Sequence, residues 1–231
     1  MPLPFLCRVF LVFFLSAAFV LGCSKGPRLR VDDDLLASVG AGQSQGVIQA
    51  RAEWEKARDA ENRAELAIAE AQNDVRLVRA ELDVARSELD QAKTQVDISR
   101  RAAEPSAIQS SEERLAVTKA RVDEKQRKVT WHQRKVELAR ARLQAAKRRT
   151  VYHEALYQLA RAKAVQGKQG AEDISVSRFE LQASEFKTRL AREEQEVAAV
   201  GIEVEEAERA WREALARVQA LSAAPARAGG R

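Results

Sequence analysis

Thiols, histidines and aromatic rings are scarce in this chain, and each scarcity removes a class of chemistry. It has two cysteines, two histidines, one methionine and three tryptophans among 231 residues. Of seven phenylalanines, five fall in the first 19 residues, leaving Phe179 and Phe186 for the rest. Glycine and proline are few and clustered, so long uninterrupted helices are permitted. No serine stands in a recognisable nucleophile context. His132 and His153 are three heptads apart, about 30 Å along a helix, so one chain cannot bring both to one metal. Gly40-Ala41-Gly42 has neither the preceding strand nor the lysine of a phosphate-binding loop and reads as linker. Asp32, Asp33 and Asp34 read as a solvated charge run. No enzyme activity, cofactor or metal site is expected.

What the chain does have begins at the N-terminus. One positive charge, Arg8, precedes an almost wholly apolar run, Val9–Leu21, which ends at Val20-Leu21-Gly22-Cys23. A charged start, a short hydrophobic segment and a small residue at the cut are the order of a secretory signal. The apolar run has 13 residues, short of the roughly 20 a spanning helix needs. Gly22-Cys23 resembles a bacterial lipobox. The resemblance implies cleavage between Gly22 and Cys23 and acylation of the Cys23 sulfur. Cys7 would leave with the signal, so the mature chain would hold no free thiol and no disulfide. Several acyl chains hold a protein to a bilayer firmly, because each buried methylene contributes about 0.8 kcal/mol. Ser24 after the cysteine implies, by the same resemblance, an outer-membrane address facing the periplasm.

Residues 23–46, rich in glycine and aspartate, read as a flexible lipidated tether. A helical pattern then runs to about Ser222, broken at Glu104-Pro105-Ser106 and at Gly167-Lys168-Gln169-Gly170. Helices are expected over about 47–103, 107–166 and 172–222, followed by a small-residue tail, 223–231. Proline disfavours helix at the residue before it, and Ser110 with Glu113, or Ser106 with Gln109, matches a capping box for the second helix. Pro105 therefore marks either a hairpin turn or a kink in one longer helix.

Steps of three and four along the first helix land on one seam. A large set (Val47, Trp54, Ile68, Val75, Leu82, Leu89) alternates with a nearly all-alanine set (Ala50, Ala57, Ala64, Ala71, Ala85). That is a coiled-coil pattern in which alanine lets helix axes approach while large residues fill the facing space. The third helix repeats it through Phe179, Ala183, Phe186, Leu190, Val197, Trp211 and Ala214. Glu61 and Glu193 are the polar exceptions and read as register-setting positions. The second helix keeps Leu115, Val122, Val129, Val136 and Leu143, with polar companions Ser111, Thr118, Lys125 and His132. Beyond Trp131 it gains a second apolar line, Leu138, Ala145, Tyr152 and Leu159, as a helix touching two neighbours should.

Charge supports that order. Val47–Ala103 carries 10 basic and 12 acidic residues, Ala107–Gly170 carries 16 and 6, and Ala171–Ser222 carries 7 and 12. The nets, −2, +10 and −5, place a basic helix between two acidic ones. The expected fold is all-α: a long antiparallel coiled coil, an up-down-up three-helix bundle with the middle helix in contact with both others. Arg140, Arg142, Lys147, Arg148 and Arg149 either pair with the acidic helices or contact anionic lipid headgroups or another envelope polyanion.

Three function classes fit. The first is a non-enzymatic, lipid-anchored scaffold or adaptor that docks partner helices or spaces envelope components. Its heptads resemble the long periplasmic hairpins of efflux ducts and their adaptors, without the flanking β-barrel or lipoyl-type sequence. Lipidation plus heptads also resembles the small outer-membrane lipoprotein that staples peptidoglycan, although Gly229-Gly230-Arg231 stands where that protein has its attaching lysine. The second is a membrane-shaping dimer, resembling BAR-type proteins in helix number and length. The third is an accessory subunit of an efflux or secretion assembly. The expected partners are a membrane through the N-terminal lipid and a protein or second copy through heptad faces. An export signal argues against nucleic acid.

Overall fold

A computed structural model of the chain describes residues 29–37 and 39–223, without the side chains of residues 41–43. Four helices follow in order: a single turn α1 (Asp33–Ala37), then α2 (Ala41–Ala102), α3 (Pro105–Val165) and α4 (Val176–Ala223). At 62 residues, α2 is on the order of 93 Å long. The fold is all-α, with the long helices packed up-down-up.

Pro105 is a hairpin turn, not a kink. Ala103 adopts a left-handed conformation (φ 56°) and Glu104 is extended, so two residues reverse the chain. Pro105 then occupies the first helical turn, where its missing N–H costs nothing. The helix thus starts before either capping box. Glu104 makes no side-chain cap, and Gln109 instead donates to Glu113 along the helix at 3.0 Å.

Ion pairs record an antiparallel register without slippage. From the turn inward, Arg100 meets Glu112 at 2.8 Å, Glu81 meets Lys125 at 2.8 Å and Lys128 at 2.9 Å, and Asp74 meets Lys135 at 3.5 Å. Trp54 finally stacks on Tyr157 with ring centroids 5.7 Å apart. Each step down α3 is matched by one step back along α2. On the other flank Arg134 pairs with Glu203 at 3.0 Å, Arg148 with Glu193 at 3.1 Å and Lys163 with Glu180 at 2.9 Å. Most of these pairs are exposed and contribute about 0–1 kcal/mol each, so they set orientation more than stability.

The middle helix contacts both neighbours, as its wider apolar face and basic charge predict. No Cα of α2, however, comes within 8 Å of one in α4. The bundle is open on that side, with α3 as its spine. The alanine line brings α2 and α3 close enough for Thr150 Oγ1 to lie 3.2 Å from the Ala57 carbonyl, one of the two carbonyls it can donate to.

The flexible-tether expectation for residues 23–46 needs correction wherever the chain is described. The helix begins at Ala41, not near Val47. Residues 29–39 form an arm docked on the base of the rod. Val31 is buried with Ala162, Val165, Ala171 and Phe179, and Leu29, Leu35, Leu36 and Val39 pack around them. The physical reason is the apolar set threaded through the aspartates: burying it outweighs chain entropy that a polar linker would retain. The connection from α3 to α4 is also longer than expected. Gly167 and Gly170 take positive φ (76° and 84°), and α4 starts at Val176 rather than near 172. Glu172 accepts from the Gly170 N–H at 3.1 Å, so it braces the loop instead of starting the helix. Bonds from its own backbone N–H and from that of Gly170 hold the Glu172 carboxyl below its usual range.

Candidate functional site

Three places along the rod hold features beyond coiled-coil packing: the base, a mid-rod girdle and the tip.

At the base, the arm is latched by polar groups from α3. The Val31 N–H donates to Gln158 Oε1 at 3.2 Å. The Arg161 guanidinium donates to the Val31 carbonyl at 2.6 Å and to Asp33. Arg161 is 7% exposed, an unusual depth for a guanidinium, whereas the Asp33 side chain is 90% exposed. Coulomb attraction to a solvated carboxylate is weak, so the buried bond to the Val31 carbonyl is the stronger half of the latch. The same guanidinium lies over Tyr157, Tyr157 stacks on Trp54, and Arg58 covers the far face of that pair. The Asp32–Asp34 run is thus split: Asp33 is part of a latch, and its neighbours face solvent.

At mid-rod, Trp131 of α3 stacks on Trp211 of α4 with centroids 4.9 Å apart. Trp211 Nε1–H donates to Glu124 Oε1 at 2.6 Å, and Lys125 lies 3.5 Å from the other carboxylate oxygen. Glu124 is buried, and its heptad position gives no hint of that. Only the pairing of two tryptophans, one polar tip needing an acceptor, could have pointed to it. His132 packs edge-on against Trp131. Burial lowers its pKa, and Lys135 and Lys128 push the same way. Asp74 and Glu81 oppose them without prevailing, and Asp74 at 3.6 Å from Nδ1 is too far for a hydrogen bond. His153 is likewise lowered, first by burial and then by Arg149, against the pull of Glu53. The two histidines are kept apart as their spacing requires.

Toward the tip, α4 is 48 residues against 62 and 61 for its neighbours, so the α2–α3 hairpin projects past it. An open trough of about 1070 Å³ lies there between the helices. Its lining mixes amides and hydroxyls, such as Gln95, Gln109 and Ser110, with the charged Glu88 and Arg121 and the apolar Leu221. It holds no histidine, cysteine or nucleophile–base pair, and nothing in it points to bond-making chemistry.

The basic cluster expected on α3 is divided by the fold. Lys147 faces Glu65 at 3.7 Å, Arg148 meets Glu193, and Arg149 meets Glu194. Arg140 and Arg142 point to solvent. Pairing with the acidic helices therefore accounts for three of the five. Glu193 is the register partner of Arg148, while Glu61 stays partly exposed in its seam. Gly22 and Cys23, the cleavage and lipidation residues, lie outside the described residues. Among the described residues, no group of three or more metal-ligating side chains occurs, and no helix is long and apolar enough to cross a membrane.

No protein-family model, curated protein or solved structure matches the chain.

Proposed function

We propose that this chain is a non-enzymatic cell-envelope scaffold or adaptor, anchored through an acylated Cys23 at the outer membrane and facing the periplasm. The observation that carries this reading is the docked arm. If Cys23 bears the lipid, only residues 24–28 separate it from Leu29, where the arm is already packed on the rod. At no more than about 3.6 Å per residue, that interval spans on the order of 20 Å. The base is then held at the bilayer, and the hairpin tip is carried up to a rod's length away, free to meet partners. A floppy 24-residue tether would have left the rod's position undefined.

The membrane-shaping alternative draws less support. Its lipid-facing surface would be the basic helix, yet α3 is the spine of the bundle and most of its cluster is matched by glutamates on both flanks. An accessory role in an efflux or secretion assembly is a special case of the scaffold reading, with the tip as the docking end.

Membrane fractionation of the parent and of Cys23→Ala tests the proposal. The parent should pellet with outer membrane, and the variant should become soluble or remain unprocessed. A Cys23→Ala protein that fractionates like the parent contradicts the anchor.

A further inference from the structure

We propose that the open side of the bundle receives one more helix, from an acidic partner protein, laid along the groove between α2 and α4 with a carboxylate on Arg142. The inference deepens the scaffold reading above and rests on it for the partner being a protein. Arg114, Arg121, Lys128, Lys135, Arg142 and Arg149 recur every seven residues along α3, an unbroken line of cations over about 50 Å of helix. The line lies between the two neighbouring helices, because its members reach both. Arg121 lies 3.9 Å from Glu88 and Lys128 lies 2.9 Å from Glu81, both on α2, while Arg149 meets Glu194 of α4. No Cα of α2 comes within 8 Å of one in α4, so this line is the floor of an open groove. The trough near the tip, lined by Arg114 and Arg121, is its upper end.

Most of the floor is answered by acids on the walls, but Arg142 is not. Repeating the Lys135–Asp74 pair one heptad toward the base sets Arg142 beside Ala67 of α2. Repeating the Arg149–Glu194 pair one heptad toward the tip sets it beside Gly201 of α4. Neither residue has a side chain to answer a guanidinium. Arg142 is exposed and forms no ion pair among the described residues, and Glu70, one turn from Ala67, forms none either. Glycine is a poor helix former, yet a Cβ at Gly201 would meet nothing within 4 Å, so nothing in this chain needs the space it leaves. An acidic helix of small residues fits such a place: its backbone can approach Ala67 and Gly201, and its carboxylate answers Arg142. It would turn an open array of three helices into a four-helix bundle. A second copy laid groove to groove would instead set one line of cations on the other. Arg142 stands 23 residues from the end of α3, about 35 Å along the rod, beyond the reach of lipid headgroups at the base.

Fluorescence anisotropy with the detergent-extracted full chain tests the groove. The probe is a labelled synthetic helix of about 28 residues, built of alanine-rich heptads that each carry one glutamate. The parent should bind it more tightly than about 0.1 mM. Arg142→Glu should weaken binding by about tenfold or more, and should bind the same helix with lysine in place of glutamate. Arg140→Glu reverses a charge about 200° round α3 from Arg142 and should leave binding unchanged. Gly201→Leu fills the groove without altering its charge and should block the probe. A parent that does not bind overturns the proposal, as does equal binding by Arg142→Glu or by Gly201→Leu. Equal affinity for alginate, a linear polyanion with no helix, overturns it too, as does a dimer of the chain alone that Arg142→Glu dissociates. None of these outcomes bears on the anchor, whose failure shows only in the fractionation of Cys23→Ala.

Discussion

The base and the tip of this rod are built on the same heptads and held by different physics. At the base, Ala162 and Val165 are fully enclosed, and Phe179, Val31 and Ala171 close around them. Four chain segments converge there: the arm, the end of α3, the loop that follows it and the start of α4. At the tip the buried α3 side chains are Ser111 and Thr118. Both turn their hydroxyls onto their own helix, Ser111 to the Ile108 carbonyl and Thr118 to that of Arg114, each at 2.8 Å. Such bonds satisfy the hydroxyl and hold nothing across the interface. One end is therefore a small hydrophobic core, and the other is a two-helix hairpin with a polar seam and an open trough. Stability concentrated at one end and adaptability at the other suit the proposed role, in which the rod is fastened at its base and used at its tip.

The largest break in that comparison should come from Phe179→Ala, which empties the base and should cost about 3–5 kcal/mol in chemical denaturation. A cost below 1 kcal/mol would mean the base is not the anchor of the fold. Next comes the girdle: Trp211→Phe removes the donor to Glu124 and should cost about 1–3 kcal/mol, since it leaves a buried carboxylate one partner short. At the tip the sign should reverse. Ala103 sits in the left-handed region with a Cβ, so Ala103→Gly should stabilise the protein by about 1 kcal/mol. Ser111→Ala should change stability least, by no more than about 0.5 kcal/mol.

Acid should act at His132 mid-rod and at His153 nearer the base. The folded state lowers the pKa of His132 and His153, so the unfolded chain binds protons first as pH drops. Stability is then complete above the ordinary histidine value of about 6.5 and declines below it. His132→Gln should flatten that decline. Glu81, held below the usual carboxylate range by its bonds to Lys125 and Lys128, adds a second loss only at more acidic pH, below about 4.5.

Much of this architecture was legible in sequence because coiled coils write their contacts in one dimension. The alternation of Val75, Val78, Leu82 and Ala85 fixed the α2 seam, and the charge imbalance of residues 107–170 placed α3 in the middle. The extra apolar line beyond Trp131 announced that α3 would touch two helices in its second half. What periodicity could not carry was the arm. Leu29, Val31, Leu35, Leu36 and Val39 are too few and too irregularly spaced to signal a helix, and three aspartates beside them look like solvent. Their partners, Gln158 and Arg161, lie more than a hundred residues away and resemble ordinary surface positions. The open side of the bundle was equally invisible: a seam shows that helices meet and leaves the angle between the second and third partners unstated. Glu124 was hidden for a similar reason, since its burial depends on a tryptophan brought from α4.

Amide hydrogen exchange along the full chain tests the contrast between the ends most directly. Residues 155–165 and 179–190 should be the slowest to exchange and residues 96–118 the fastest of the long helices, with the arm at 29–37 protected along with the base. Uniform protection along the rod, or an arm that exchanges as freely as an unstructured linker, would contradict a rod fastened at its base.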